Sequence, residues 1–516
     1  MTERSEHLVT VGVGPLTITE VVAVARDLAP IKLDPEAADA IAASRKIIEA
    51  LADDTEPHYG VSTGFGALAN KHIPPERRQQ LQLGLIRSHA AGSGALVERE
   101  VVRALMLLRL STLATGRTGV QLRTAQTYVD MLNAQLTPIV FEYGSLGCSG
   151  DLAPLAHCAL AAIGEGEVID ASGNRTNSAD ALRAAGIKPV KLLEKEGLAL
   201  INGTDGMLGM LCLALTDLTR LVCTADIAGA MSVEGQLGTD RVFAADLQEL
   251  RPQRGQSVSA ANFRAILANS PIIARQRESF SKVQDAYSLR CAPQVHGAMR
   301  DTMSHATNVA DAELASAVDN PVVTKDGRVE SNGNFHGAPV GYVLDFLAIA
   351  VADLASISER RSDRFLDKSR NHGLNPFLAE DPGVDSGLMI AQYTQASIVS
   401  ELKRLAVPAS VDSIPSSAMQ EDHVSMGWSA ARKLRRAIDG LQRVLAIEIM
   451  TAARAIDMRA PLTPSPVVAA VIGALRAAGT RGPGPDRYLS ADIECAVALV
   501  LSGDAIAAVR TLTAIT

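Results

Sequence analysis

The sequence predicts a mainly α fold, with a long central helical bundle and a loop-rich N-terminal region, and three observations carry that expectation. Hydrophobic residues make up 47% of the 516 residues but aromatics only 3%, so the apolar content is chiefly Ala, Leu, Val and Ile, as in long Ala/Leu-rich helices. Segments 386–405 and 427–458 are Ala-rich and repeat apolar residues at helical spacing, as in Leu434, Ile438, Leu441, Leu445 and Ile449, which makes one buried face. Glycine and small polar residues gather instead in 59–66 and around 144–151, which read as loops. By length alone the chain spans roughly three or four domain-sized units. A boundary near 225 separates an N-terminal region, 1–225, from the bundle and C-terminal helices, 226–516.

Along the chain, 8–13 has the composition of a short strand. Thr17-Ile18-Thr19-Glu20 has the form of a capping box, in which side chains at both ends satisfy the first free amides of a helix. Asp34-Pro35 sets an N-cap and an N1 proline ahead of a helical run over 36–51. Beyond the 59–66 loop, 98–113 and 120–132 are patterned as helices. A helix over 152–163 stops at Gly164, where a missing Cβ permits a left-handed turn, and another runs over 205–223. Pro461, Pro464 and Pro466 interrupt the regularity before shorter helices complete the chain. There is no short-period repeat, low-complexity tract or flexible linker.

Net charge is −8 and the cations are scattered among acids, which argues against a nucleic-acid partner. The N-terminal residues lack the apolar core of a secretion signal, and the richest later apolar run, 340–352, is broken by Asp345; neither export nor a membrane span is expected. Six cysteines form no CxxC pair and are too sparse for a disulfide scaffold, which fits the cytoplasm. No HExxH or compact Cys/His set is present, so no catalytic metal is expected. Gly60-Val61-Ser62-Thr63-Gly64 matches a hydrolase pattern without the apolar strand that a nucleophile elbow follows. Gly64-Phe65-Gly66 similarly lacks the setting of a dinucleotide site.

The most informative stretch is Gly144-Ser145-Leu146-Gly147-Cys148-Ser149-Gly150-Asp151-Leu152-Ala153-Pro154-Leu155. In a tight enough fold the Gly150 amide nitrogen attacks the Cys148 carbonyl, closing a five-membered ring. Gly suits that position because it lacks Cβ and tolerates unusual φ/ψ. Loss of one water from the ring and a second from Ser149 leaves an imidazolone with an exocyclic methylidene, a covalent change that alters the chemistry of the whole site. Ser149 supplies the electrophilic carbon, and the side chain at 148 hangs off the ring without reacting. The following helix would set its partial positive charge beside Ser149, and the helix after Asn202 would do the same, polarising the group.

This loop resembles the prosthetic-group loop of the aromatic amino-acid ammonia-lyases, and the resemblance runs over nearly the whole chain. It includes Tyr59-Gly60-Val61-Ser62-Thr63-Gly64-Phe65-Gly66, Ser88-His89-Ala90-Ala91-Gly92, Leu200-Ile201-Asn202-Gly203-Thr204, Gln284-Asp285-Ala286-Tyr287-Ser288-Leu289-Arg290, Gly333-Asn334-Phe335-His336-Gly337 and Gln420-Glu421-Asp422-His423-Val424-Ser425-Met426. Where the commonest family loop has Ala, this chain has Cys148. Taken singly, Tyr59, His89, Asn202 and Phe335 have ordinary structural readings; the ordered set outweighs them.

The resemblance implies an enzyme whose N-terminal region is catalytic and whose methylidene-imidazolone, formed from Cys148, Ser149 and Gly150, needs no external cofactor and takes over the amine-capturing role of pyridoxal phosphate. It sets Tyr59, Tyr287 and Glu421 beside that tripeptide as catalytic, and His89, Asn202, Gln284, Arg290 and Phe335 as substrate-binding. Removing ammonia from an α-amino acid needs an electrophile and a base for a weakly acidic β-proton. Tyr59 and Glu421 are both candidates for the base, and Glu421 is alternatively a partner for an imidazole. Arg290 offers a carboxylate paired donors in a fixed fork. Gln284, Tyr287 and Arg290 recur every three residues, so a helical turn would set them on neighbouring faces.

Ser88-His89 resembles the pair of histidine-acting members, whereas tyrosine-acting members carry His-Leu and phenylalanine-acting ones Phe-Leu. Glu421, where those relatives typically have Gln, also suits an imidazole. Both point to L-histidine, giving trans-urocanate and ammonia in histidine catabolism. The family further implies a homotetramer whose active sites combine residues of more than one subunit. The alternatives are an aminomutase or a lyase for tyrosine or phenylalanine and, from a different class, an unmodified helical scaffold that keeps the fold without the chemistry.

Overall fold

The computed structural model describes residues 8–54, 58–64, 71–147, 149–278 and 283–516. Among these residues are twenty α-helices and nine short strands, so the fold is mainly α as expected. The capping box forms as its sequence dictates: Thr17 Oγ1 accepts the Glu20 amide at 3.2 Å while Glu20 Oε2 accepts the Thr17 amide at 2.8 Å. Asp34 caps Pro35–Ala52 by accepting the Glu36 amide at 2.8 Å. The strand expected over 8–13 is confined to Val9–Val11, paired in parallel with Ile31–Leu33.

Two compact units divide the chain. One comprises 1–216, 307–345 and 408–432; the other comprises 217–306, 346–407 and 433–516. At the centre of the first is Arg99–Ala114, buried from Val101 through Ala114, where each fully enclosed Leu or Val contributes about 1.5–3 kcal/mol. Two arginines lie in that apolar helix. Arg103 donates to the carbonyls of Val24 at 2.8 Å and Leu132 at 3.1 Å, and burial pushes its pKa down to about 10. The short strand Phe141–Tyr143 pairs with Ser93–Leu96 and delivers the chain into the 144–151 loop. Trp428 Nε1 fixes that entry by donating to the Glu142 carbonyl at 2.8 Å.

In the second unit the predicted apolar face of Gly427–Asp457 is buried, with Leu434, Ile438, Leu441, Leu445 and Ile449 each at 0–2% exposure. Glu448 on this helix accepts the hydroxyls of Ser232 and Ser358, both at 2.6 Å, and Arg361 Nη2 at 2.9 Å. A buried carboxylate needs such a full set of donors. Met389–Leu405 starts later than its sequence pattern because Asp486 captures the amides of Ser386 and Gly387, at 2.6 and 2.9 Å.

Two helices, Asp205–Gly235 and Ala338–Leu366, are long and apolar enough to cross a membrane, but 83% and 61% of their most apolar windows are buried inside the protein. They are core helices by that measure.

Candidate active site

The 144–151 loop belongs to the first unit, and its backbone is sharply constrained. Cys148 lies outside the described residues; Ser149 and Gly150 both take positive φ, 49° and 80°. Left-handed backbone is costly for a residue with a Cβ, so Ser149 is held there by its surroundings. Gly150 pairs in parallel with Gly203, and a Cβ on Gly150 would lie 1.9 Å from the Gly203 oxygen. Only glycine fits. At the near end of the loop Ser425 Oγ donates to the Gly147 carbonyl at 3.2 Å, and the Met426 amide donates to the Leu146 carbonyl at 2.9 Å.

These contacts bring helix N-termini together within the unit. Leu152–Ala162 begins directly after the loop, and Asp205–Gly235 begins directly after Asn202-Gly203-Thr204. Asp151 ties the two: its amide donates to the Gly203 carbonyl at 2.7 Å, and its Oδ2 accepts the Met207 amide at 2.8 Å. The start of Gly427–Asp457 closes on the same place, since a Cβ on Gly427 would lie 2.6 Å from Met207 Sδ. A Cβ on Gly337, just before Ala338–Leu366, would meet the same sulfur at 2.6 Å. Convergent helix starts concentrate positive partial charge, which favours electron density flowing into a group built at Ser149. Burial nevertheless lifts Asp151 to about pKa 7, against its bonds to Met207 and Ser145.

Asn202 is buried and donates from Nδ2 to the Asn320 carbonyl at 2.9 Å, while its Oδ1 has no hydrogen-bond partner among the described residues. The cradle at Gly150 and Gly203, which admits no Cβ, leaves the backbone the close approach that a cyclised tripeptide needs, and the orphaned Asn202 Oδ1 beside it is an acceptor free for a donor from outside the ring. The residues present fit the methylidene-imidazolone.

Tyr59, half-buried, sits in a turn closed by the Val61 and Ser62 amides on the His58 carbonyl, at 3.1 and 3.0 Å. Ser62 Oγ accepts the His58 amide at 2.9 Å and is fully buried, which accounts for the hydrolase-like pattern as turn chemistry. His89 ends the helix Pro75–His89. Its Nδ1 lies 2.9 Å from the Leu85 carbonyl, and a carbonyl only accepts, so Nδ1 carries the proton and Nε2 keeps a lone pair. Burial lowers the His89 pKa and so favours the neutral ring, opposed by that carbonyl and by the Glu421 charge. Glu421, also half-buried, accepts the Ser416 hydroxyl at 3.2 Å. A pocket of about 660 Å³ opens along the same helix, lined by His72, Arg77, Leu81, Ser88 and His89 among others. Phe335 lies half-buried in the turn before Ala338–Leu366.

Gln284, Tyr287 and Arg290 belong to the second unit. The helical turn covers only Tyr287–Arg290, with Ala286 as its N-cap, so Gln284 lies in the preceding loop and not on the turn. Asp285, in the same loop, is buried, and its Oδ2 accepts the Thr239 amide at 2.7 Å. Tyr287 and Arg290 do face one another, the guanidinium carbon lying 4.6 Å from the ring centroid. Arg290 Nε donates to the Asp285 carbonyl at 2.9 Å.

Sequence reasoning did not single out Asp151, Gly203, Ser425 or Arg109, all of which shape the loop. Arg109 left one readable signal, an arginine in the otherwise apolar run Leu107-Leu108-Arg109-Leu110.

Comparison with known proteins identifies the family. The model of the aromatic amino acid lyase family matches residues 16–477. A histidine ammonia-lyase of Streptomyces coelicolor is 62% identical over 507 residues, covering 98% of this chain and 99% of that protein. One of Anaeromyxobacter dehalogenans is 48% identical over 95% of this chain and 97% of its own. Among solved structures, histidine ammonia-lyase from Trypanosoma cruzi superposes with a TM-score of 0.90 at 36% identity, covering 98% of this chain and 96% of that one. Tyrosine aminomutase from Streptomyces globisporus gives 0.93 at 36%, covering 99% and 100%.

Proposed function

We propose that this chain, which belongs to the aromatic amino acid lyase family, removes ammonia from L-histidine to give trans-urocanate. The observation that carries the reading is the Ser149-Gly150 backbone, held at positive φ against Gly203 where helix N-termini meet. The reading of the substrate is supported by His89 and Glu421 and by histidine ammonia-lyases that the chain resembles at 62% and 63% identity.

Cys148, Ser149 and Gly150 would form the methylidene-imidazolone, which supplies an electron-poor alkene carbon. The other residues act on the substrate. His89 Nε2 accepts an imidazole N–H, and Glu421, close enough for its charge to act on His89, serves the same ring. That leaves Tyr59 to take the β-proton as the general base. Arg290 binds the carboxylate, and Tyr287 stacks on it to hold its fork in place. Asn202 Oδ1 is an acceptor for the amine, Phe335 covers the reacting centre, and Gln284 adds a polar contact from its loop.

We read the active form as a cytoplasmic homotetramer with active sites completed by more than one subunit. Five described cysteines are free, which suits a reducing compartment. Tyr342, Phe346 and Ile349 form an exposed apolar stripe on one helix, at 59%, 47% and 45% exposure, as a subunit interface requires.

The test is product analysis with L-histidine, L-tyrosine and L-phenylalanine. Urocanate from histidine alone supports the reading. A β-amino acid product would favour the aminomutase that the fold also resembles, and no product with any of the three would favour a scaffold.

A further inference from the structure

We infer that Arg109 is a positioning residue for ring closure: it clamps the Asn202-Gly203 backbone against the Gly150-Asp151 peptide and so sets where the attacking Gly150 nitrogen lies. The inference rests on the proposed cyclisation and concerns how the chain brings it about.

Arg109 is fully buried in Arg99–Ala114. Its Nη1 donates to the carbonyls of Ala199 and Asn202, both at 3.0 Å. Its Nη2 donates to the Val318 carbonyl at 3.2 Å and to Asp205 Oδ2 at 2.6 Å. One guanidinium thus ties three backbone carbonyls from two segments to the carboxylate that opens Asp205–Gly235. Gly203 passes directly beneath it, for a Cβ there would lie 2.0 Å from Nη2 and 2.4 Å from Asp205 Oδ2. On its other side the Gly203 carbonyl accepts the Asp151 amide at 2.7 Å and would lie 1.9 Å from a Cβ on Gly150. The order of contact is guanidinium, Gly203 backbone, Gly150 backbone, with no room for a side chain at either glycine.

A buried ion pair adds little net stability over a well-packed apolar replacement, so what Arg109 contributes is the geometry it fixes. Ring closure is sensitive to that geometry. The Gly150 N–Cys148 C bond forms only if the nitrogen is pressed onto the carbonyl carbon. One water then leaves with the Cys148 oxygen and the amide hydrogens of Ser149 and Gly150. A second leaves with the Ser149 hydroxyl and its α-hydrogen. No oxidant or reductant is needed. Lys at 109 keeps the charge but cannot span four acceptors from a single ammonium. Asn at 205 removes the carboxylate that fixes the fork.

The test is pulse expression of the full-length parent, Arg109→Lys and Asp205→Asn, with intact mass followed over time and helix content measured by circular dichroism. The parent should become lighter by two waters. Each folded variant should keep its helix content yet lose the two waters roughly a hundredfold more slowly, the scale set by misplacing reacting atoms by about 1 Å. A purely structural pair would lower the melting temperature and leave ring closure complete in the folded fraction. Folded variants that mature at the parental rate overturn the inference. If one variant fails to fold, the other decides; if neither folds, the pair serves stability alone and the inference is overturned. A parent that retains its full translated mass overturns the cyclisation reading itself, a result the variants cannot mimic.

Discussion

His89 Nδ1 lies 2.9 Å from the carbonyl of Leu85, one helical turn back, so Nδ1 carries a proton and Nε2 is the acceptor of the neutral ring. Burial favours that neutral form by lowering the pKa, against the Leu85 carbonyl and the Glu421 charge. His89→Leu removes that acceptor without changing the helix. Losing one hydrogen bond to the substrate should reduce kcat/KM for L-histidine by about 10- to 100-fold, and steady-state kinetics check it. Unchanged kinetics would remove His89 from the site.

Arg290 stacks on Tyr287, and in the proposed site its guanidinium would meet the substrate carboxylate in two-point fashion. Arg290→Lys keeps the charge and loses the fork. The expected outcome is a raised KM or a lowered kcat/KM for L-histidine. Equal kinetics in the variant would end the carboxylate assignment.

Glu448 is fully buried among Arg361, Ser232 and Ser358. Glu448→Ala leaves the Arg361 charge uncompensated and should cost about 3–5 kcal/mol in urea denaturation. Arg361 also donates to the Ser288 carbonyl at 3.3 Å, between Tyr287 and Arg290, so the variant should loosen that turn and raise KM as well. A loss below about 1 kcal/mol would contradict the burial of a charged pair.

Glu234 accepts the Ser465 amide at 2.8 Å, and burial lifts its pKa to about 7. In the unfolded chain the group ionises near its ordinary value, so between the two values the folded state holds the extra proton. Stability from this group is therefore greatest at low pH and falls as pH rises toward the folded value. Glu234→Gln cannot ionise. Its melting temperature relative to the parent should rise from about pH 5 to about pH 8, by the equivalent of at most about 3 kcal/mol. A difference independent of pH would contradict the raised pKa.

The helices that announce themselves in sequence do so through local chemistry. Thr17-Ile18-Thr19-Glu20, Asp34-Pro35 and the apolar face from Leu434 to Ile449 each act through neighbours a few positions away, and each forms. Pro75–His89 was not legible, because its buried positions include Arg78 and Gln82. Those side chains bond outside the helix, where Arg78 Nη1 donates to the Ala52 carbonyl at 2.5 Å and Gln82 Oε1 accepts the Gly197 amide at 2.8 Å, so no apolar stripe marks the buried face. Asp205–Gly235 runs past the 205–223 pattern because its later turns are enclosed by tertiary packing, as at Gly229, where a Cβ would lie 2.7 Å from Phe263. In the candidate site, the ordered set of motifs pointed to the reactive tripeptide, while the roles of Asp151, Gly203 and Arg109 depend on contacts between distant segments that a linear pattern does not record.

The central claim is that Ser149 and its two neighbours condense into one electrophilic ring, and intact-mass spectrometry of the purified chain tests it most directly. The account predicts a mass two waters below that of the translated sequence, with the loss mapping to the peptide that contains Cys148, Ser149 and Gly150. A full-length mass with no water lost, in protein that still converts L-histidine to urocanate, would contradict it.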